Sequence, residues 1–152
     1  MTRKLRNSVT PNPWRLVKRV LPQHTDHAGV VWHGTYIAWL EEARVEALAE
    51  AGLAYATLSS QGIEMPVVSL RINYRQSLRH GDWIVVESIC HGRKGVRWTW
   101  ESRLMRGDAL IAEADVELVM LQGGFKVLRQ APASLQPVME RLKTGPRRST
   151  AP

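Results

Sequence analysis

The chain has 152 residues, 44% of them hydrophobic, which is enough for one domain with an apolar core and too few for two ordinary domains. Its 21 Lys and Arg against 14 Asp and Glu give a formal net charge of +7, which favours an anionic partner or a ligand bearing phosphates. The single cysteine, Cys90, excludes an intrachain disulfide and is predicted to be a buried, unreactive thiol. No apolar run is long enough to span a membrane, and the N-terminus has no apolar stretch like that of a signal peptide, so we expect a soluble cytoplasmic protein.

The first third of the chain contains a polar segment, a strand and a helix. Residues 1–13 are polar and basic without periodicity, which predicts a flexible segment. The run W-R-L-V-K-R-V-L begins at Trp14 and sets apolar against basic positions, as in a first strand. From about Thr35 to Ala51 the apolar residues follow a helical period, with Thr35 suited to the N-cap and Gly52 to the C-terminal cap. The alanines of this helix permit close packing on a sheet.

Four later segments alternate apolar and polar residues and are separated by turn residues. The first of them has a side that we expect to be buried, made of Val68, Leu70, Ile72 and Tyr74. The order of the elements predicts an α+β fold in which an antiparallel sheet of about five strands packs on one long helix. We assign residues 14–122 to this domain and residues 123–152 to a C-terminal tail with a possible short helix. The outer sheet face, which carries Met105 and Val119, is expected to meet a second subunit.

The stretch from Gln23 to Arg44 joins a polar loop to the long helix and carries the candidate chemistry. Asp26 is its only acidic residue before the helix, and Gly29 permits a sharp turn towards His33. The free N–H groups and the positive dipole end of a helix suit an oxygen that becomes negative during a reaction. A carboxylate beside a helix N-terminus therefore indicates an acyl-transfer site.

From about Trp14 to Gln122 the chain resembles the 4-hydroxybenzoyl-CoA thioesterase family of hotdog-fold proteins. The most specific likeness is the motif T-D-x-x-G-V-V-x-H-x-x-Y, which runs from Thr25 to Tyr36 and is followed by E-x-A-R. The resemblance implies an acyl-CoA thioesterase that hydrolyses a small acyl or aroyl thioester without a cofactor or a metal. It also implies a homodimer, or a tetramer made of two dimers, with each site at a subunit boundary.

The resemblance assigns roles to particular residues. Asp26 is the catalytic carboxylate, acting either as nucleophile or as general base on water, and the backbone N–H of His33 polarises the thioester carbonyl. The positions that bind substrate are Trp32, Gly34, Tyr36, Arg93 and Lys94. Of these, Arg93 and Lys94 lie in a hairpin whose basic residues contact CoA in some relatives.

Other interpretations of the same residues are open. The Asp26 carboxylate could accept backbone hydrogen bonds in a turn and do no chemistry. His24, His27, His33 and Asp26 include ligand types that a divalent metal accepts, but their spacing matches no defined signature, and we expect His24 and His27 to be exposed loop histidines. The function alternatives are a non-catalytic protein that binds acyl-CoA or an acyl carrier, and a dehydratase of the same fold. Specific nucleic-acid binding is not expected, because Arg and Trp alternate on opposite strand faces.

Overall fold

The structure, a computed structural model, describes residues 11–147, so the predictions for residues 1–10 and 148–152 lie outside the described residues. The strands are β1 (Trp14–Arg19), β2 (Ile63–Glu64), β3 (Val67–Tyr74), β4 (Trp83–Lys94), β5 (Arg97–Arg106), β6 (Ala109–Val119), β7 (Leu121–Gln122) and β8 (Lys126–Val127). The helices are α1 (His33–Glu50), α2 (Tyr55–Ser60) and α3 (Gln136–Thr144), with 3₁₀ turns at Pro22–His24 and Ala133–Leu135.

Five strands form one antiparallel sheet in the order β1-β4-β5-β6-β3, and β2, β7 and β8 form a second, small sheet. Buried and less buried side chains alternate along β4, β5 and β6, because one sheet face packs into the core with α1 and the other lies at the surface. The outer face carries cross-strand ion pairs, among them Arg15–Glu87 at 3.8 Å and Arg97–Glu117 at 2.5 Å. The predicted α+β layout of a five-stranded antiparallel sheet and one long helix is confirmed.

The long helix buries the stripe that the sequence predicted, with Tyr36, Leu40, Ala43 and Ala47 all in the core. It begins two residues earlier than expected, since Trp32 is the N-cap and makes no side-chain capping bond. The prediction of Thr35 as N-cap is therefore wrong: Thr35 lies in the first turn, and its hydroxyl donates to the His24 carbonyl at 3.2 Å. At the other end Gly52 has φ +110°, a value that favours glycine, just past the C-cap.

Strand β3 forms one edge of the large sheet and is mostly exposed in the single chain. The prediction that Val68, Leu70, Ile72 and Tyr74 form a buried side is wrong for this chain, because only Ile72 is even half-buried. The register against β6 shifts between Val67 and Ser69, so Val68 occupies a bulge and breaks the alternation. The edge therefore presents apolar side chains together with unpaired backbone groups.

The C-terminal tail contains helix α3, which packs on β4 and α1 and buries Val138, Met139 and Leu142. Two side-chain hydrogen bonds, one received by α3 and one donated from it, hold the helix in place. The indole Nε1 of Trp14 donates to the Leu142 carbonyl at 2.9 Å, and Nε of Arg141 donates to the Ala51 carbonyl at 2.7 Å. A division of the chain at residue 122 stays a prediction.

Two features of the chain's chemistry follow from burial and hydropathy. Cys90 is buried on β4, as predicted, and burial raises the pKa of its thiol to about 11, so the thiol stays protonated at neutral pH. Among residues 11–147, no helix is both long enough and apolar enough to cross a lipid bilayer.

Candidate active site

The loop before α1 folds into a tight turn that fixes Asp26. The N–H of Asp26 donates to the Val30 carbonyl at 2.8 Å, and the N–H of Gly29 donates to the Asp26 carbonyl at 3.1 Å. Gly29 has φ +79° with nothing within 4 Å of an added Cβ, so the backbone conformation rather than crowding requires glycine here. Bridges from Thr25 to Val31 and from Val30 to the segment before β4 complete the loop.

The Asp26 carboxylate is half-buried and only one of its oxygens is used by the loop. Oδ1 accepts from the N–H of Ala28 at 2.8 Å and of Val30 at 3.4 Å. The second oxygen accepts no hydrogen bond from the part of the chain that the structure describes. Asp26 thus does accept backbone bonds in a turn, yet the geometry leaves one oriented carboxylate oxygen available to a ligand.

Helix α1 begins next to this loop because the loop is bonded to its first turn. The His24 carbonyl accepts both the N–H of Trp32 at 3.0 Å and the hydroxyl of Thr35. The N–H groups of His33 and Gly34 make no hydrogen bond within residues 11–147, as expected for the first turn of a helix. A partial positive charge therefore lies at the helix start, where His33 and Asp26 line one cavity.

Two tyrosines form a wall of this cavity. Tyr36 is buried, and its ring meets the Tyr74 ring edge-on at 5.2 Å between centroids. Burial raises the pKa of the Tyr36 phenol, the Tyr74 phenol raises it further, and a backbone hydrogen bond from Leu78 lowers it. The hydroxyl of Tyr74 donates to the His33 carbonyl at 2.9 Å, which ties the end of β3 to the helix start. Both phenols are thus protonated at neutral pH, and the Tyr74 hydroxyl holds the helix start in position.

The cavity has a volume of about 380 Å³ and is open to solvent. Its lining consists of Asp26, Val31, His33, Tyr36, Tyr74, Arg75, Gln76 and Ser77. Sequence reasoning did not select the last four of these, residues 74–77. Their sequence Y-R-Q-S marks the end of β3, where the alternation of apolar and polar residues gives way to polar residues. Arg75 belongs to the wall but also pairs with Glu113 on β6.

Of the other predicted substrate-binding residues, Trp32 and Gly34 lie at the helix start but outside the cavity lining. The ring of Trp32 covers Gly34, since a Cβ added at Gly34 would clash with the indole ring. Trp32 is 53% exposed and its ring also touches the His33 ring, with 5.0 Å between centroids. The structure places neither residue in the cavity wall, and their contact with substrate stays a prediction.

Arg93 and Lys94 are far from Asp26 within one chain. They lie at the end of the 12-residue strand β4 whose start adjoins the Asp26 loop. At about 3.3 Å per residue the two ends of such a strand are roughly 35 Å apart. Arg93 folds onto its own hairpin, where Nη1 donates to the Gly95 carbonyl at 2.6 Å. The structure does not bring this pair to the Asp26 cavity, and its contact with CoA stays a prediction.

The loop histidines have separate surroundings. Nδ1 of His24 accepts the N–H of Leu21 at 3.0 Å, and the ring packs edge-on against Trp39 at 5.3 Å between centroids. The expectation of an exposed His24 is wrong, because the half-buried ring supports the loop, whereas His27 is exposed as predicted. Within residues 11–147, no three His, Cys, Asp or Glu side chains are grouped so as to hold a metal ion.

Known proteins share this sequence and fold. A family model described as the thioesterase superfamily matches residues 28–113. The chain is 33% identical over 139 residues to the Synechocystis protein sll0410, covering 90% of this chain and 84% of that protein. It is 32% identical over 107 residues to the acyl-CoA thioesterase YbgC of Haemophilus influenzae, covering 70% of this chain and 79% of that enzyme. The solved DHNA-CoA thioesterase of Staphylococcus aureus has a TM-score of 0.72 and 26% identity, covering 77% of this chain and 80% of that chain.

The family match spans more than half of the chain. It begins two residues after Asp26 and covers α1 and most of the large sheet. The chain belongs to the thioesterase superfamily. Its α+β architecture is the hotdog fold, and its activity is the hydrolysis of a thioester. The predicted fold and enzyme class are confirmed. These matches identify the superfamily but not a branch within it, so membership of the 4-hydroxybenzoyl-CoA thioesterase branch stays a prediction.

Proposed function

We propose that this thioesterase hydrolyses a small acyl or aroyl thioester of CoA to the free acid and CoA, with Asp26 as the reacting carboxylate. The observation that carries the proposal is the free second oxygen of Asp26 in the same cavity as the start of α1. The N–H of His33 is the donor for the carbonyl oxygen, because it has no partner in the described chain and lies at the positive end of the helix.

The reaction needs few groups because a thiolate leaves readily. In the nucleophilic route the free oxygen of Asp26 attacks the carbonyl carbon, the C–S bond breaks, and the thiolate leaves with its electron pair. Water then hydrolyses the mixed anhydride and regenerates the carboxylate. In the general-base route Asp26 takes a proton from water while the water oxygen attacks the same carbon. The C–S bond then breaks, the thiolate leaves with its electron pair, and Asp26 gives its proton to that thiolate or to solvent. Both routes place negative charge on the carbonyl oxygen, where the His33 N–H stabilises it.

We infer that the working unit is a homodimer joined through the free edge of β3. Val67, Val68, Leu70 and Tyr74 on this strand are all exposed in the single chain, whereas charges on the outer sheet face already pair across strands. Two β3 edges related by a two-fold axis run antiparallel, so the Val67 end of one strand lies beside the Tyr74 end of the other. The β4–β5 hairpin lies at the Val67 end, since the Val119 N–H donates to the Pro66 carbonyl and Val119 pairs with Arg97.

This pairing gives Arg93 and Lys94 a way to contribute to CoA binding. In the dimer the β4–β5 hairpin of one subunit lies at the same end of the joined sheet as the Asp26 cavity of the other subunit. From β5 to the second subunit's β3 there are three strand spacings of roughly 4.8 Å each. A guanidinium and an ammonium there meet the CoA phosphates as charged donors. The net charge of +7 is consistent with an anionic substrate.

Substitution at two exposed valines tests the dimer. Val68 on β3 is 46% exposed, and Val17 on the opposite edge strand β1 is 60% exposed. We expect Val68→Lys to convert a wild-type dimer to a monomer in sedimentation at micromolar concentration, because a lysine on an edge strand opposes strand pairing. Val17→Lys should leave the dimer intact. Dissociation by Val17→Lys alone would assign the interface to another surface.

Thiol release from a panel of acyl-CoA esters tests the proposed function. The panel contains short aliphatic, long aliphatic and aromatic acyl groups at matched concentration. We expect cleavage of small acyl or aroyl esters and release of one thiol for each ester consumed. Absence of cleavage for every ester by folded protein would contradict an acyl-CoA substrate.

A further inference from the structure

A second cavity, of about 290 Å³, lies between α1, β3, the core face of the sheet and α3. Thirteen of its sixteen lining residues are apolar, and the others are Tyr55 of α2 and the charged residues Glu41 and Arg44 of α1. Trp100 contributes an aromatic wall, and Met139 and Leu142 of α3 form part of the lining. Such a lining suits a hydrocarbon group and offers little to a polar one.

This cavity continues the Asp26 site along the same two elements. His33 and Tyr36 of α1 line the first cavity, and Ile37 and Leu40 line the second. On β3, Tyr74 lines the first and Leu70 the second. At a rise of about 1.5 Å per residue, Ile37 lies roughly 6 Å along the helix from His33. A group bound at the His33 N–H therefore has an apolar space one helical turn away.

We propose that this second cavity holds the acyl group of the substrate and that Met139 and Leu142 of α3 set the upper limit of its size. The inference rests on the proposed function and deepens it. Helix α3 lies outside residues 28–113, the part of the chain that matches the family model. The Trp14 and Arg141 hydrogen bonds fix α3 to β1 and to the end of α1, so its side chains form a firm wall.

The volume defines the class of acyl group. At about 290 Å³ the cavity lies at the lower end of the range of roughly 300–1,000 Å³ typical of small-molecule sites. The thioester carbonyl and the CoA arm stay outside it, at the Asp26 cavity and beyond. The acyl group is therefore apolar and short to medium in length, and long fatty acyl chains are excluded by α3.

Substitution of Met139 moves the limit in either direction. Met139→Ala removes roughly three heavy atoms from the wall, so the longest accepted straight-chain acyl group should grow by about two carbons. The first chain that the wild type excludes should gain about tenfold in kcat/KM, the effect of one methylene in an apolar pocket. Met139→Trp should shorten the limit instead. Each variant is assayed with straight-chain acyl-CoA esters of increasing length.

Leu135→Ala is the matched control, because Leu135 is buried beside α3 but does not line the cavity. It should lose stability without changing the length profile. Wild-type length profiles in both Met139 variants would overturn the inference while leaving thioester hydrolysis intact. If the wild type cleaves no ester, the proposed function fails, and calorimetric affinities for the same uncleaved esters decide the inference. An affinity profile that shifts with Met139 supports it, and an unchanged profile refutes it.

Discussion

Replacing Trp14 by phenylalanine removes a buried hydrogen bond between the first strand and the last helix. Trp14 is 4% exposed, and its Nε1 donates to the Leu142 carbonyl at 2.9 Å. That carbonyl lies in the last turn of α3, which ends at Thr144, so no backbone N–H of the helix donates to it. The indole N–H of Trp14 is its donor. An orphaned buried carbonyl costs about 1–3 kcal/mol, and the smaller ring adds a void worth about 1 kcal/mol.

The total is about 2–4 kcal/mol, which in a domain of this size lowers Tm by roughly 4–16 °C. Scanning calorimetry or circular dichroism measures the shift. Trp32→Phe is the matched control, since Trp32 is 53% exposed and its loss should change the unfolding free energy by less than about 0.5 kcal/mol. Equal Tm values for the two variants would refute the account of how α3 is anchored.

Two further changes test the Asp26 cavity and its surroundings. Tyr74→Phe removes the donor to the His33 carbonyl. We expect kcat to fall about 3- to 10-fold at little cost in stability, since one partly exposed hydrogen bond is worth about 1 kcal/mol. An unchanged kcat would contradict a positioning role for Tyr74. The hydrogen bond from Arg75, followed by the charge of Arg75, lowers the pKa of the Glu113 carboxyl. The ion pair therefore stabilises the fold above pH about 4.5, and this stabilisation is lost as the pH falls through the lowered pKa. Arg75→Gln should therefore flatten the decline of Tm between about pH 5 and pH 3, and equal slopes would contradict the pairing.

The long helix and the sheet were predictable because their periodicity is local. The apolar stripe of α1 and the alternation along β5 and β6 identify buried faces in sequence, and the structure buries them. Strand β3 has similar alternation but lies at the sheet edge, and no local pattern distinguishes an edge strand from a central one. The burial of α3 depends on Trp14, which lies 128 residues before Leu142, and a short helical pattern alone does not indicate that docking.

The candidate site also contains a part that could be predicted from local sequence and a part that could not. Asp26, Gly29 and His33 are close in sequence, so turn chemistry and the family motif predicted their arrangement. Tyr74 is 41 residues from His33, and its contact arises only when the end of β3 meets the start of α1. Arg93 and Lys94 were assigned to CoA binding from the family resemblance. They lie far from Asp26 within one chain because β4 is 12 residues long. Contacts made between elements that are distant in the chain are the part that local sequence does not encode.

In the proposed mechanism the free oxygen of Asp26 performs the chemistry, and replacing Asp26 by asparagine removes that carboxylate. The amide oxygen of asparagine can still accept the Ala28 and Val30 N–H groups, so Tm should stay within about 2 °C of wild type. Thiol release from the best acyl-CoA ester should fall about 10²- to 10⁴-fold in kcat, the usual loss for a missing general base. Asp108→Asn, in the exposed turn before β6, is the control and should retain wild-type activity. An Asp26→Asn enzyme with activity within tenfold of wild type would contradict the role of Asp26 as the reacting carboxylate.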